Sequence, residues 1–124
     1  MDNKITSNVE NYLIKNDKTN TVTISDSQYG KYAKLCYQIR NVCHNYSLAE
    51  IRLETGRSHQ IRVQFANIGT PLYGDVKYGN TRGNLALWAY KLDFYHPVTN
   101  ELLTFTSCPP ETEPWTYFLS ENKN

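Results

Sequence analysis

The sequence predicts an α+β fold, a mixed and mostly antiparallel sheet with one well-defined helix over about residues 58–68. Two stretches, 33–40 and 49–54, alternate apolar and polar residues with the period of a half-buried strand. A third changes to helical spacing at Ile61, Phe65 and Ile68 and is stopped by Gly69 and Pro71. Further strand-like stretches follow that helix, which favours antiparallel pairing on either side of it.

Taken in order, residues 9–14 and 21–24 are expected as short strands around the polar turn 15–20. Residues 41–45 are polar and of hairpin length, so the strands on either side should pair antiparallel. Thr55 and Ser58 are both candidate caps at the helix start, and Gly69 stands where a left-handed C-terminal residue is wanted. Gln60, Gln64 and Asn67 fall opposite the apolar stripe and are expected to face solvent. Residues 85–92 begin with an apolar run at both parities, which suits a central strand covered on both faces. Residues 96–101 carry turn chemistry, 102–106 read as the returning strand ended by Pro109 and Pro110, and 114–119 as a helical turn beginning at proline. Residues 1–120 are expected to form one domain, with 121–124 a frayed tail.

The charges nearly cancel, with 13 basic and 12 acidic side chains and a formal charge of +1, so phosphate attraction alone does not suggest a nucleic acid partner. Placement qualifies this. Arg52, Arg57, Arg62, Lys77 and Arg82 fall in the middle of the chain, whereas Glu101, Glu111, Glu113 and Glu121 fall late, so a one-sided basic surface is allowed. Cys36, Cys43 and Cys108 are odd in number and lack metal-ligand spacing, which favours free thiols and no metal site. Neither a signal peptide nor a run of membrane-spanning length is visible, and a soluble, cytoplasmic protein is expected. Ten tyrosines against four phenylalanines suit rings that pack while their hydroxyls meet polar partners, some of them able to stack on bases.

Chemistry concentrates around the helix. Arg62 lies on the flank of the apolar stripe with His59 and Ala66, where a guanidinium needs a carboxylate or phosphate partner, yet no acidic residue of the chain stands out as that partner. Arg57 at the helix start reads equally as a phosphate contact or a solvated first-turn charge. His59 and Gln60 have hydrogen-bonding groups able to fix the loop or to reach a ligand. Asp75 follows Gly74 and precedes Tyr78 and Gly79, a context in which aspartate bonds nearby backbone N–H groups and is not a nucleophile. No nucleophile elbow, phosphate loop or dinucleotide glycine pattern occurs.

The string Glu54-Thr55-Gly56-Arg57-Ser58-His59-Gln60-Ile61-Arg62, followed by Gly69-Thr70-Pro71-Leu72-Tyr73-Gly74-Asp75 and Tyr78-Gly79, closely resembles a C-terminal motif of RluA-type RNA pseudouridine synthases. The likeness is strongest over residues 47–79 and extends through Leu87-Trp88-Ala89 and His96-Pro97-Val98-Thr99. The resemblance implies the second subdomain of a catalytic domain split around an RNA-binding cleft, isomerisation of uridine in rRNA or tRNA, and no cofactor. It also implies that Arg62 is the catalytic-site residue that forms a salt bridge with the nucleophilic aspartate. Arg57, His59 and Gln60 are the candidate RNA-binding residues. The family's nucleophile lies upstream in a His-Arg-Leu-Asp segment, and these 124 residues contain none.

A C-terminal portion, inactive by itself, is therefore expected, needing its N-terminal half in cis or in trans. A non-catalytic RNA-binding module and a subunit completed by a separate polypeptide are the alternatives. In each case an exposed boundary is expected to favour self-association.

Overall fold

The chain is described by a computed structural model over residues 6–79, 85–87, 89, 91–95, 97–107 and 109–119. It divides into two compact units, Met1–Leu85 and Ala86–Asn124. The first contains a four-stranded sheet of β1 (Ser7–Asn16), β2 (Thr21–Ser25), β3 (Lys31–Cys43) and β4 (Tyr46–Leu53), in the spatial order β2-β1-β3-β4. Every pairing in it is antiparallel, and the mixed sheet expected from the sequence has no parallel pair among the described residues. The α+β class stands.

The strands follow their alternation but run further than the sequence suggests. Residues 41–45 are not an open loop, because β3 continues to Cys43 and turns through His44 (φ 54°) and Asn45 (φ 64°). Two successive left-handed residues make the tight turn whose twist matches that of the flanking strands. In register, Val9 faces Leu35, Leu13 faces Ile24 and Leu35 faces Leu53, so one sheet face gathers the apolar set.

Against that face lies α1 (Gln60–Asn67), followed by a short α2 (Val76–Gly79). Leu13, Val22, Ala33 and Val63 form one buried cluster, with Tyr78 packed against it. Val9, Leu35 and Phe65 form another, flanked by Tyr37, Ile51, Ile61 and Leu72. Complete burial of a side chain such as Leu35 contributes about 2 kcal/mol.

Helix α1 buries Phe65, packs Ile61 on the core and exposes Asn67 as its periodicity indicated, but departs from it at three positions. Gln60 and Gln64 are buried, not solvated, while Ile68 is 43% exposed. The sheet beneath offers strand carbonyls, and the two amides reach them: Gln60 Nε2 donates to Lys34 O (3.1 Å), and Gln64 Nε2 lies 3.3 Å from both Val9 O and Ala33 O. Bonding to those acceptors offsets the cost of burying the two amide nitrogens, so polar residues occupy core positions, although Gln64 Oε1 is buried without a partner among the described residues. At the far end Gly69 takes φ +88°, its N–H bonding Ala66 O (3.1 Å) while Thr70 N–H bonds Phe65 O (2.9 Å). This paired closure is the left-handed stop that the glycine signalled.

The second unit contains β5 (Lys91–Tyr95) and β6 (Leu102–Thr106), an antiparallel hairpin, and α3 (Thr116–Leu119). Of the expected two-face-covered strand over 85–92, the described residues Leu85 to Leu87 and Ala89 are not in a strand, Leu85 and Leu87 are exposed, and the described pairing starts at Lys91. An apolar run fixes neither pairing nor burial by itself. Trp88, Tyr90, His96, Cys108 and the 120–124 tail lie outside the described residues. The terminal helical turn begins at Thr116, two residues beyond Pro114.

Candidate functional site

The chain enters α1 through an unusual junction. His59, the residue before the helix, is left-handed (φ 53°, ψ 22°), and no side chain caps the helix. Neither Thr55 nor Ser58 does so. Thr55 instead ties the loop to the sheet, its hydroxyl accepting from Lys34 N–H (2.9 Å) and lying 2.8 Å from Gln60 Oε1. Gln60 Oε1 also accepts from Arg57 N–H (2.9 Å), so one buried amide fastens the Thr-Gly-Arg turn to both the helix and β3. Of the two roles open to Gln60, the structure gives its amide that of fixing the loop. Arg57 is exposed, with Nε donating to Tyr32 O (2.8 Å).

One turn further on, Arg62 is not left without an acid. Its Nε donates to Asp75 Oδ2 at 3.1 Å and its Nη2 to Asp75 Oδ1 at 2.9 Å, a two-pronged pair. The expectation that no acidic residue of this chain serves Arg62 is thereby corrected. Asp75 lies thirteen residues away, across the reversal at Gly69 and Pro71, where helical periodicity gives no warning of proximity.

Several contacts deliver Asp75. Leu72 packs against the Val9–Leu35–Phe65 cluster, and the Tyr73 ring meets Tyr46 of β4 edge-on, with centroids 5.2 Å apart. Gly79 closes against Pro71 so tightly that an added Cβ would lie 2.5 Å from the proline Cβ. Asp75 also accepts from Tyr78 N–H (3.1 Å), the turn-type bond that its sequence context indicated.

The electrostatics are those of a fixed, charged knot. Asp75 is 0% exposed and the Arg62 side chain 22%. Burial alone would raise the Asp75 pKa, but the Arg62 hydrogen bonds, the Tyr78 and Lys77 N–H groups and the Arg62 charge outweigh it and hold the carboxyl below its ordinary value of 3.8. The Asp75 bond in turn raises Arg62 above its ordinary range. The Arg62 guanidinium carbon lies 5.1 Å from the centre of the Tyr78 ring, in cation–π range.

Tyr78 links this pair to His59. Its hydroxyl accepts from Val22 N–H (3.0 Å) and lies 2.6 Å from His59 Nδ1. Burial first, then the charges of Arg62, Lys77 and Lys15, depress the His59 pKa, with Asp75 offsetting them in part. A neutral imidazole is favoured, with Nδ1 accepting the phenol proton. His59, Arg62, Asp75 and Tyr78 thus form one connected group, of which the sequence singled out His59 and Arg62 but not their partners. Among the described residues no group of three His, Cys, Asp or Glu side chains could hold a metal ion, and Cys36 and Cys43 are free.

Residues 2–67, just over half of the chain, match the family described as RNA pseudouridylate synthase. The chain belongs to this family, RluA type. It is 38% identical over 102 residues to the uncharacterized RNA pseudouridine synthase YlyB of Bacillus subtilis, covering 79% of this chain and 34% of the relative. Over 66 residues it is 48% identical to YhcT of the same organism, again an uncharacterized RNA pseudouridine synthase, covering 51% of this chain and 22% of the relative. Ribosomal large subunit pseudouridine synthase D of Vibrio cholerae is 34% identical over 110 residues, 75% of this chain and 34% of that protein. The chain spans about a third or less of these relatives. This family member has, among its described residues, no helix long and apolar enough to cross a membrane.

Proposed function

We propose that this chain is the C-terminal part of the catalytic domain of an RNA pseudouridine synthase acting on rRNA or tRNA, and that it is inactive by itself. The observation that carries the reading is Arg62, placed by α1 at a partly exposed site with a rigidly held guanidinium. In the reaction the uridine N1–C1′ bond breaks, the freed uracil turns, a bond forms between C5 and C1′, and the C5 proton is lost while N1 gains one. No cofactor is required. The target base must first leave its stack to be reached. Arg62 would orient and electrostatically hold the nucleophilic aspartate, supplying preorganisation and not the attack itself. The tyrosine that stacks near the target base would likewise come from upstream.

For RNA contact, Arg57 is the best placed of the three candidates, since it is exposed and anchored by a single Nε bond. His59 and Gln60 act mainly by shaping the loop that carries Arg57. Self-association would use the sheet edges, which in the described sheet are β2 and β4.

The test is pseudouridine mapping on ribosomal and transfer RNA incubated with chain purified from a host lacking its own synthases of this class. No product is expected from the chain alone. Product is expected once a polypeptide with the His-Arg-Leu-Asp segment is supplied. Turnover by the chain alone would overturn the inactivity, and silence of the mixture would overturn the synthase reading.

A further inference from the structure

A guanidinium has five N–H donors arranged on two usable edges, one formed by Nε and Nη2 and the other by Nη1 and Nη2. Asp75 takes the first edge entirely, with one oxygen on each nitrogen. Two of the five donors are thereby used, and the remaining three have no acceptor among the described residues, on a side chain that is 22% exposed. Every acid so far assigned to Arg62 in the reaction is outside this chain. The one actually bound to it has no role yet.

Asp75 is poorly suited to be a temporary occupant. It is fully buried, its carboxylate is held by the Tyr78 and Lys77 backbone N–H groups as well as by Arg62, and its pKa is depressed. Displacing it from Arg62 would strand a buried charge, which is costly. The Tyr78 ring beside the guanidinium and the Pro71–Gly79 contact further restrict the loop.

We propose that Asp75 is a positioning residue: by holding the Nε/Nη2 edge of Arg62, it presents the Nη1/Nη2 edge as a two-pronged oxyanion site that receives the carboxylate of the aspartate absent from this chain. This rests on the synthase reading above. Because Asp75 already neutralises Arg62, the second anion is selected more by geometry than by charge, and a planar two-oxygen carboxylate matches the free edge. An RNA phosphate is the other oxyanion source.

The chain, labelled with ¹⁵N at arginine and ¹³C at aspartate, is titrated with acetate at constant ionic strength by NMR. Acetate is expected to shift the Arg62 Nη resonances while Nε–H and the Asp75 carboxyl carbon stay in place. In Asp75→Ala the edge is vacated, so acetate is expected to shift Nε–H as well. A merely structural Asp75 would not produce this exchange of edges. Movement of Nε–H and of the Asp75 carboxyl carbon in the unsubstituted chain would mean that the second carboxylate displaces Asp75, and overturns the proposal. So does the lack of any Arg62 shift up to roughly 0.5 M acetate, a range that covers weak, partly exposed ion pairs. A response to inorganic phosphate without one to acetate overturns the carboxylate assignment.

If Asp75→Ala does not fold, the unsubstituted chain still decides between the edges, and Arg62→Lys, which keeps the charge but lacks the fork, is expected to lose the acetate response. Turnover by the chain alone would remove the absent aspartate as occupant without altering the edge partition, so the two failures are distinguishable.

Discussion

The two polar knots at the start of α1 differ in whether they are closed. Around Gln60, the amide oxygen receives Arg57 N–H and lies against the Thr55 hydroxyl, the amide nitrogen donates to Lys34 O, and the residue is 3% exposed. Around Arg62, two donors are spent on Asp75 and three remain. The residues are two positions apart on one helix, yet Gln60 is buried with both ends of its amide bonded inside the fold, whereas Arg62 keeps a partly exposed edge. Burial with internal partners marks a residue that builds the site, while a partly exposed edge of donors on a rigid cation marks one that awaits a ligand.

Breaking the Arg62 knot should have the largest effect. Asp75→Ala leaves a mostly buried guanidinium without its carboxylate and is expected to lower unfolding free energy by about 3 kcal/mol, measured by urea denaturation. A loss below about 1 kcal/mol would show that the pair is not the organising contact described above.

Gln60→Ala is expected to cost about 2 kcal/mol, because the Lys34 carbonyl and the Arg57 N–H lose their amide partner in a buried setting. Faster hydrogen exchange at Arg57 would accompany it. If the variant lost acetate binding at Arg62 without losing stability, the division between the two knots would fail.

Acid should separate the knots as well. Both Asp75 and His59 have folded-state pKa values below their ordinary ones, so each binds protons more readily when unfolded. The stability they contribute is complete above the ordinary values, 6.5 for His59 and 3.8 for Asp75, and is lost as pH falls through the lower folded values. Stability measured against pH should therefore decline first below 6.5 and again below 3.8, with the second decline absent in Asp75→Asn. Equal acid profiles for the two chains would refute the assignment to Asp75.

The smallest structural effect is expected from Arg57→Ala, within about 0.5 kcal/mol of the unsubstituted chain, since its side chain is exposed. Its effect should appear in RNA binding, as a weaker affinity and a shallower salt dependence in a filter or anisotropy titration. Unchanged binding would remove Arg57 from the interface.

How much of this was legible depended on the range of the interactions. Alternation located the strands of the first unit, and Gly69 marked the helix stop, because both signals act within a few residues. The motif string pointed to the family before any geometry was known. The orientation of α1 was legible only in part, through Ile61, Phe65 and Asn67. Its glutamines are polar by type, and only the strand carbonyls of Val9, Ala33 and Lys34 beneath them make burial tolerable. Leu85 to Leu87 and Ala89 depart from the expected strand for the converse reason, since apolar character without a known partner strand does not fix pairing.

The sequence by itself determined the antiparallel strands, the single well-marked helix with its glycine stop, and the Arg-bearing family motif, since each is written in local spacing and residue type. Only the tertiary structure decided which acid Arg62 binds. Chain reversal at Gly69 and Pro71, packing of Leu72 and Tyr73, and the close approach of Gly79 bring Asp75 to one edge of a guanidinium and leave the other edge open.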